Sequence, residues 1–167
     1  MTPATAKVII EGLKQAGINF VTTLPEFNLQ PLVQAIHDDA EIIHVPVCRE
    51  EEGLGICAGA YLGGKQAAMV LMNTGFLLSA NILTTLHYHT QIPVLMLIGY
   101  SGGMGEPYPA HTSLAKVTEP VLRALDIPYE LVGRVDAMPK AIRYAQVQAR
   151  SSRQPAAILM YQDVLFT

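Results

Sequence analysis

The stretch AAMVLM, residues 67–72, is apolar at every position and is followed directly by Asn73-Thr74-Gly75. A half-exposed strand alternates apolar and polar residues, whereas a run without alternation is typical of a strand that is buried on both faces. The Asn-Thr-Gly triplet has the composition of a turn. The stretch therefore predicts a central strand of a parallel sheet, with a turn at its carboxyl end.

Strand and helix patterns alternate about six times around this stretch. A second continuously apolar run covers residues 93–98, and β-prone runs cover residues 18–23, 41–47, 129–132 and 156–160. Apolar residues recur at helical spacing in residues 3–17, 28–38, 50–63, 76–87 and 118–125 and after Asp136. This alternation predicts an α/β fold of three α/β/α layers around a central, mostly parallel six-stranded sheet. Because ligands of such sheets bind beyond the carboxyl ends of the strands, residues 23–28, 48–53, 73–79 and 99–111 are the first candidates for function.

The composition excludes several classes of protein. The 167 residues suit a single domain over residues 1–167, and only 15% are charged, against a usual share of about 25%. This low share, with 50% hydrophobic residues, argues against disorder and favours a surface that another chain partly covers. A net charge of −3 without a basic run argues against nucleic acid, and short, interrupted apolar runs argue against a membrane span. With no signal-peptide pattern, we expect a cytoplasmic protein in which Cys48 and Cys57 are small buried residues.

Three consecutive carboxylates, Glu50, Glu51 and Glu52, stand at the start of a predicted helix, directly after a predicted strand. Such residues can simply complement the helix dipole and remain solvated. The rest of this helix, residues 53–61, is small and apolar throughout, which predicts that it is buried. A carboxylate that enters a buried site needs a shifted pKa or a specific partner, and both are signs of function.

The segment Glu51-Glu-Gly-Leu-Gly-Ile-Cys-Ala-Gly-Ala-Tyr61 resembles the Glu-x-Gly-Ala-x-x-x-Ala-x-Gly-Tyr segment in the pyrimidine-binding domain of thiamine diphosphate enzymes. Glu51 lies ten residues before Tyr61, with Gly53 and Ala58 in register and Ala60 in place of a glycine. The resemblance implies that Glu51, rather than Glu50 or Glu52, is the glutamate that activates the cofactor.

Two further segments extend the resemblance. Residues 24–29, LPEFNL, are similar to the Gly-Asp-Phe-Asn-Leu stretch of pyruvate-type decarboxylases, which implies that Glu26 faces the reacting substrate. Residues 73–81 resemble the Asn-Ser-Gly-x-Gly-x-x-x-Asn stretch of sulfopyruvate and phosphonopyruvate decarboxylases, with Leu77 in place of a glycine. This match implies three cofactor-binding residues, Asn73, Thr74 and Gly75.

His111 lies in Pro109-Ala-His-Thr112, where these decarboxylases carry one His or a His pair. The resemblance implies that Glu51 exchanges a proton with N1′ of the pyrimidine, and that Glu26 and His111 relay the proton that releases an aldehyde from a decarboxylated 2-oxo acid. The residues alone leave an alternative for each: Glu26 as a surface turn or cap residue, and His111 as a solvated loop residue.

The chain has no Asp-Gly or Gly-Asp pair, so it lacks the Gly-Asp-Gly…Asn motif with which this family holds the diphosphate and Mg²⁺. The resemblance therefore implies the α-type subunit of a split decarboxylase, whose β-type subunit mainly holds diphosphate and Mg²⁺ in an α2β2 or higher hetero-oligomer. It implies no metal site in this chain. Two alternatives remain: another split thiamine diphosphate enzyme that forms carbon–carbon bonds, and a non-catalytic binding or regulatory subunit.

Two weaker patterns point to other ligands. The pair His87-x-His89 lacks a third ligand for a metal, so we interpret it as packing or as a helix end. The glycines at positions 53, 55 and 59 do not have the spacing of a dinucleotide-binding turn.

Overall fold

The computed structural model describes residues 1–104, 106 and 108–166, without the side chain of Gln162. Six strands form one sheet in the order β2-β1-β3-β4-β6-β5, and every neighbouring pair is parallel. The strands are Phe20–Thr23 (β1), Ile43–Pro46 (β2), Ala67–Met72 (β3), Val94–Gly99 (β4), Tyr129–Val132 (β5) and Pro155–Met160 (β6). The helices are Pro3–Gln15 (α1), Gln30–Asp38 (α2), Glu50–Leu62 (α3), Asn73–Leu78 (α4), Ala80–Ile82 (α5), Thr112–Ala124 (α6) and Met138–Ser152 (α7).

The apolar strands β3, β4 and β6 lie in the middle of the sheet and face two hydrophobic cores. Ala68 and Val70 of β3 pack on the side covered by α1, α2 and α7. Met69 and Leu71 pack on the other side, with α3, α4 and α6. The lack of alternation in residues 67–72 thus reflects burial on both faces, and the predicted three-layer fold with a parallel sheet is confirmed.

The order of the strands creates a crevice between β1 and β3. The chain leaves β1 through α2 on one face of the sheet and leaves β3 through α4 on the other. The helices that follow the two neighbouring strands therefore diverge, and a gap opens at their carboxyl ends. Glu26 and Thr74 follow the two strands that border this gap.

The ends of α1 follow local rules. Thr2 caps the helix by accepting a hydrogen bond from the Thr5 amide at 3.2 Å, and Pro3 occupies the first turn, where no amide donor is needed. The chain leaves the helix through Gly17, whose φ of +79° is strained for residues with a side chain. The predicted stop at Gly17 is therefore confirmed.

Two predicted helices differ from the structure. The continuous helix predicted for residues 76–87 begins earlier and is broken into α4, α5 and a π-helical segment, Leu83–Tyr88. The first break is at Ser79, whose hydroxyl donates to the Gly75 carbonyl at 2.8 Å. Helix α6 begins at Thr112 instead of residue 118, because a 3₁₀ turn at Pro109–His111 leads into it.

The expected burial is correct for Cys57 and wrong for Cys48. Cys48 is exposed because it follows β2, the edge strand of the sheet. Among the helices of the described residues, none combines the length and apolar character needed to cross a bilayer.

Candidate active site

A cavity of about 210 Å³ opens at the carboxyl ends of β1, β3 and β4. Two carboxylates, two hydroxyls and an imidazole reach it from four separate segments of the chain. The lining residues are Leu24, Glu26, Glu50, Met72, Thr74, Ser101 and His111. The structure therefore brings together Glu26, Thr74 and His111 of the predicted site and adds Glu50 and Ser101.

Glu26 enters the cavity from the 3₁₀ turn Phe27–Leu29 that follows β1. Its carboxylate accepts a hydrogen bond from the Asn28 amide at 2.7 Å and caps this turn. The alternative interpretation as a cap residue is thus correct, but the same side chain also lines the cavity. The hydrogen bond from the Asn28 amide restrains the direction of the Glu26 carboxylate, as a proton donor or acceptor requires.

The three consecutive glutamates of α3 point in three directions, because successive residues of a helix are rotated by about 100°. Glu50 points into the cavity and packs against Gly75, where any side chain would collide with it. Glu51 accepts a hydrogen bond from Arg49 Nη2 at 2.9 Å, with 29% of its side chain exposed. Glu52 turns back and accepts from the Cys48 amide at 3.3 Å.

Glu51 is therefore not among the residues that line the cavity. The hydrogen bond from Arg49 lowers the pKa of the Glu51 carboxyl below its ordinary value. Within this chain Glu51 is a partly exposed carboxylate, and not the buried, partly protonated acid that the sequence led us to expect. Its assignment as the cofactor-activating glutamate stays a prediction.

The triplet Asn73-Thr74-Gly75 serves three different purposes at the start of α4. Asn73 is fully buried, and its amide donates to the Ser101 carbonyl at 2.9 Å and to Thr118 Oγ1 at 3.1 Å. It thereby ties the ends of β3 and β4 to α6. Thr74 is exposed and lines the cavity, and Gly75 leaves room for Glu50. Direct contact of Asn73 with a cofactor stays a prediction.

His111 lies at the end of the loop that follows β4, and a buried carboxylate stabilises that loop by hydrogen bonds. Glu106, with 2% of its side chain exposed, accepts hydrogen bonds from the amides of Gly102 at 2.8 Å and Tyr108 at 3.0 Å. Its Oε1 lies 3.3 Å from His111 Nδ1, close enough for an ion pair but without the geometry of a hydrogen bond. Gly102 has a φ of +93°, and any side chain there would collide with the His111 carbonyl.

Burial raises the pKa of the Glu106 carboxyl, but the hydrogen bonds from the two amides and the neighbouring His111 outweigh this effect, so its pKa lies below the ordinary value. Glu106 is therefore an anion that attracts the imidazole of His111. Sequence reasoning missed it. The available signal was a single acidic residue in a loop rich in Gly and Pro, five residues before the candidate His.

His87 is fully buried in the π-helical segment, and its packing interpretation is confirmed. Its Nδ1 lies 2.9 Å from the Ile92 carbonyl and its Nε2 lies 3.2 Å from the Leu54 carbonyl. Burial lowers the pKa of His87, and hydrogen bonding to the two carbonyls opposes that effect in part. In the part of the chain that the structure describes, no group of three or more His, Cys, Asp or Glu residues is placed to hold a metal ion.

Comparison with known proteins gives a consistent set of relatives. Residues 3–105 match the family described as thiamine pyrophosphate enzyme, N-terminal TPP binding domain. The chain is 34% identical over 161 residues to sulfopyruvate decarboxylase subunit alpha of Methanococcus maripaludis, covering 96% of this chain and 95% of that protein. It is 36% identical over 158 residues to the protein of the same name from Methanocaldococcus jannaschii, covering 95% and 92%. A phosphonopyruvate decarboxylase of Streptomyces viridochromogenes is 26% identical over 159 residues, which are 94% of this chain but 40% of that protein.

Proposed function

The chain belongs to the thiamine pyrophosphate enzyme family through the N-terminal TPP binding domain, and on this premise we propose that it is the α subunit of a split thiamine diphosphate-dependent decarboxylase that acts on sulfopyruvate. One observation carries the proposal. The chain aligns with 95% of an α subunit that is named for this reaction, but with only 40% of a phosphonopyruvate decarboxylase. The remaining parts of the enzyme then belong to a β-type subunit.

The residues at the start of α3 fit the aminopyrimidine of thiamine diphosphate. When bound, the cofactor supplies the electron sink that allows a 2-oxo acid to lose CO₂. Glu51 would exchange a proton with N1′, because its carboxylate is partly exposed and is held by an exposed arginine, Arg49, rather than by a buried partner. Burial of Glu51 under a second subunit would raise its pKa and make the protonated form accessible.

The cavity lined by Glu26, Glu50 and His111 fits the reacting end of a small 2-oxo acid. Release of an aldehyde after loss of CO₂ requires one proton, and the cavity holds an imidazole and two carboxyl groups that can carry it. Glu26 is fixed by its cap and His111 is held beside Glu106, so both groups keep their directions. We assign the proton relay to these two residues.

A β-type subunit would complete the site from outside this chain. Several large apolar side chains are exposed on the segments that line the cavity: Phe27 at 88%, Leu78 at 63%, Met104 at 91% and Tyr108 at 61%. Exposed apolar groups on one side of a protein favour contact with another protein. We propose that the β-type subunit covers them, mainly holds the diphosphate and Mg²⁺, and forms an α2β2 or higher assembly in the cytoplasm.

The test is reconstitution. The chain, co-expressed with a β-type subunit that carries the diphosphate motif, should release CO₂ and an aldehyde from sulfopyruvate, and the Glu51→Gln enzyme should not. Phosphonopyruvate and pyruvate serve as competing substrates. If the assembled enzyme releases CO₂ from none of these three 2-oxo acids, the proposal is refuted. An acyloin as the main product would favour the carbon–carbon bond-forming alternative.

A further inference from the structure

Ser101 presents a buried hydroxyl that has no partner within the described chain. The residue follows β4, is 1% exposed and borders the cavity, yet its Oγ makes no hydrogen bond. Its backbone is fixed, because its carbonyl accepts from the buried amide of Asn73 at 2.9 Å and its amide lies 3.4 Å from Asn73 Oδ1. The backbone of this cavity-lining residue is therefore held in place.

Other buried hydroxyls nearby have hydrogen-bond partners, so the unpaired hydroxyl of Ser101 is an exception. Ser79 donates to the Gly75 carbonyl at 2.8 Å, and Thr118 donates to the Leu114 carbonyl at 2.7 Å. A buried hydroxyl without a partner loses its hydration and gains nothing in return. Among the described residues, four buried side-chain nitrogen or oxygen atoms lack a hydrogen-bond partner, and two of them, Ser101 Oγ and His111 Nδ1, belong to residues that line this one cavity.

The cavity offers few hydrogen-bond donors to an anionic substrate. Glu26 and Glu50 line it, and the described lining includes no Lys or Arg. A 2-oxo acid brings at least one anionic oxygen, which needs a hydrogen-bond donor close to these carboxylates. In the described lining, Ser101, Thr74 and His111 are the side chains that can donate without being carboxylic acids. Ser101 is the buried one of the two hydroxyl residues.

On the basis of the proposed function, we infer that Ser101 Oγ donates a hydrogen bond to an anionic oxygen of the 2-oxo acid substrate. Asn73 then acts as a positioning residue, because it holds the backbone of Ser101. This assignment gives a role to the buried Asn73, whose amide makes its hydrogen bonds within the chain, to the Ser101 carbonyl and Thr118 Oγ1.

The test uses the assembled α/β enzyme with Ser101→Ala. We expect KM for the 2-oxo acid to rise by about tenfold, kcat to stay within about twofold and the thiamine diphosphate Kd to stay unchanged. The Tm should stay the same or rise, because Ser101→Ala removes a buried hydroxyl that has no partner. Ser101→Cys, which is slightly larger than serine and keeps a weak donor, should give an intermediate KM. The matched control is Ser152→Ala. Ser152 ends α7, just before the amino end of β6, and its hydroxyl donates to the Gln148 carbonyl at 2.9 Å. This variant should keep the wild-type KM.

The substrates separate the two kinds of anionic oxygen. A similar rise in KM for pyruvate and sulfopyruvate would assign Ser101 to the carboxylate, and a rise confined to sulfopyruvate would assign it to the sulfonate. An unchanged KM in an active enzyme would overturn the inference alone, as would a rise in KM accompanied by a lower Tm and weaker cofactor binding. A wild-type enzyme without turnover on any 2-oxo acid would instead overturn the proposed function, and this inference with it.

Discussion

Gly75→Ala tests whether the Glu50 side chain is held inside the cavity. Gly75 is the third residue of α4, and a Cβ at this position would overlap the carboxylate and Cγ of Glu50. Glu50 is half-buried and lies between this glycine and the cavity. We therefore expect the alanine either to displace Glu50 or to separate α4 from α3.

Two opposing effects set the size of the change. Alanine is favoured over glycine inside a helix by about 0.5–1 kcal/mol. Inserting a methyl group into a packed position costs about 1–3 kcal/mol. Gly75→Ala alone should thus lower the free energy of unfolding by about 0–2.5 kcal/mol, whereas in a Glu50→Ala background the same change should raise it by up to about 1 kcal/mol.

The assay is a double-mutant cycle by denaturant unfolding of the wild type, the two single variants and the double variant at one protein concentration. The cycle cancels the separate loss of a carboxylate from the first turn of α3. A coupling energy of about 1–3 kcal/mol is the expected result. A coupling below about 0.5 kcal/mol would show that Glu50 leaves the cavity without cost, and would refute the claim that it is held there.

Four further predictions concern single residues. Glu51→Gln should lower kcat of the α/β enzyme by about 10²–10⁴-fold without changing its Tm, since an amide cannot exchange the proton at N1′; near wild-type turnover would contradict the assignment. His111→Ala should slow release of the aldehyde more than release of CO₂ in single-turnover experiments, and equal slowing would indicate that His111 positions the substrate. Iodoacetamide at neutral pH should label the exposed Cys48 and spare Cys57, because burial raises the pKa of the Cys57 thiol to about 11; labelling of both in the folded protein would contradict this. Because burial lowers the pKa of His87, the folded state binds fewer protons there, so the free energy of unfolding should fall as pH drops below about 6.5 and through the lowered pKa, and His87→Gln should flatten that dependence in a pH series of denaturation curves.

The central part of the fold was predictable from the sequence because burial on both faces leaves a clear signal. The observed β3 has the predicted bounds, and β4 differs from its prediction by one residue at each end. The break of the predicted helix at residues 76–87 was not predictable in this way. It depends on a hydrogen bond from Ser79 to Gly75 and on a buried His87 between two carbonyls from other elements.

The sequence predicted which segments form the candidate site, but not which side chains of those segments point into the cavity. Motif order placed Glu26, Thr74 and His111 after strands whose carboxyl ends meet at one edge of the sheet, and the structure brings them into one cavity. Which of the three glutamates of α3 enters that cavity depends on helix rotation and on the missing side chain of Gly75. Glu106 becomes recognisable only when the loop after β4 has folded back on itself.

The most direct test of the split-enzyme proposal is the affinity of this chain for thiamine diphosphate with Mg²⁺, measured by isothermal titration. The chain should be titrated alone and again after assembly with a β-type subunit. We expect tight binding only in the assembled enzyme, because the α subunit supplies Glu51 and the cavity while the partner holds the diphosphate. Tight binding by this chain alone, or no binding by the assembled pair, would contradict the proposed division of the site.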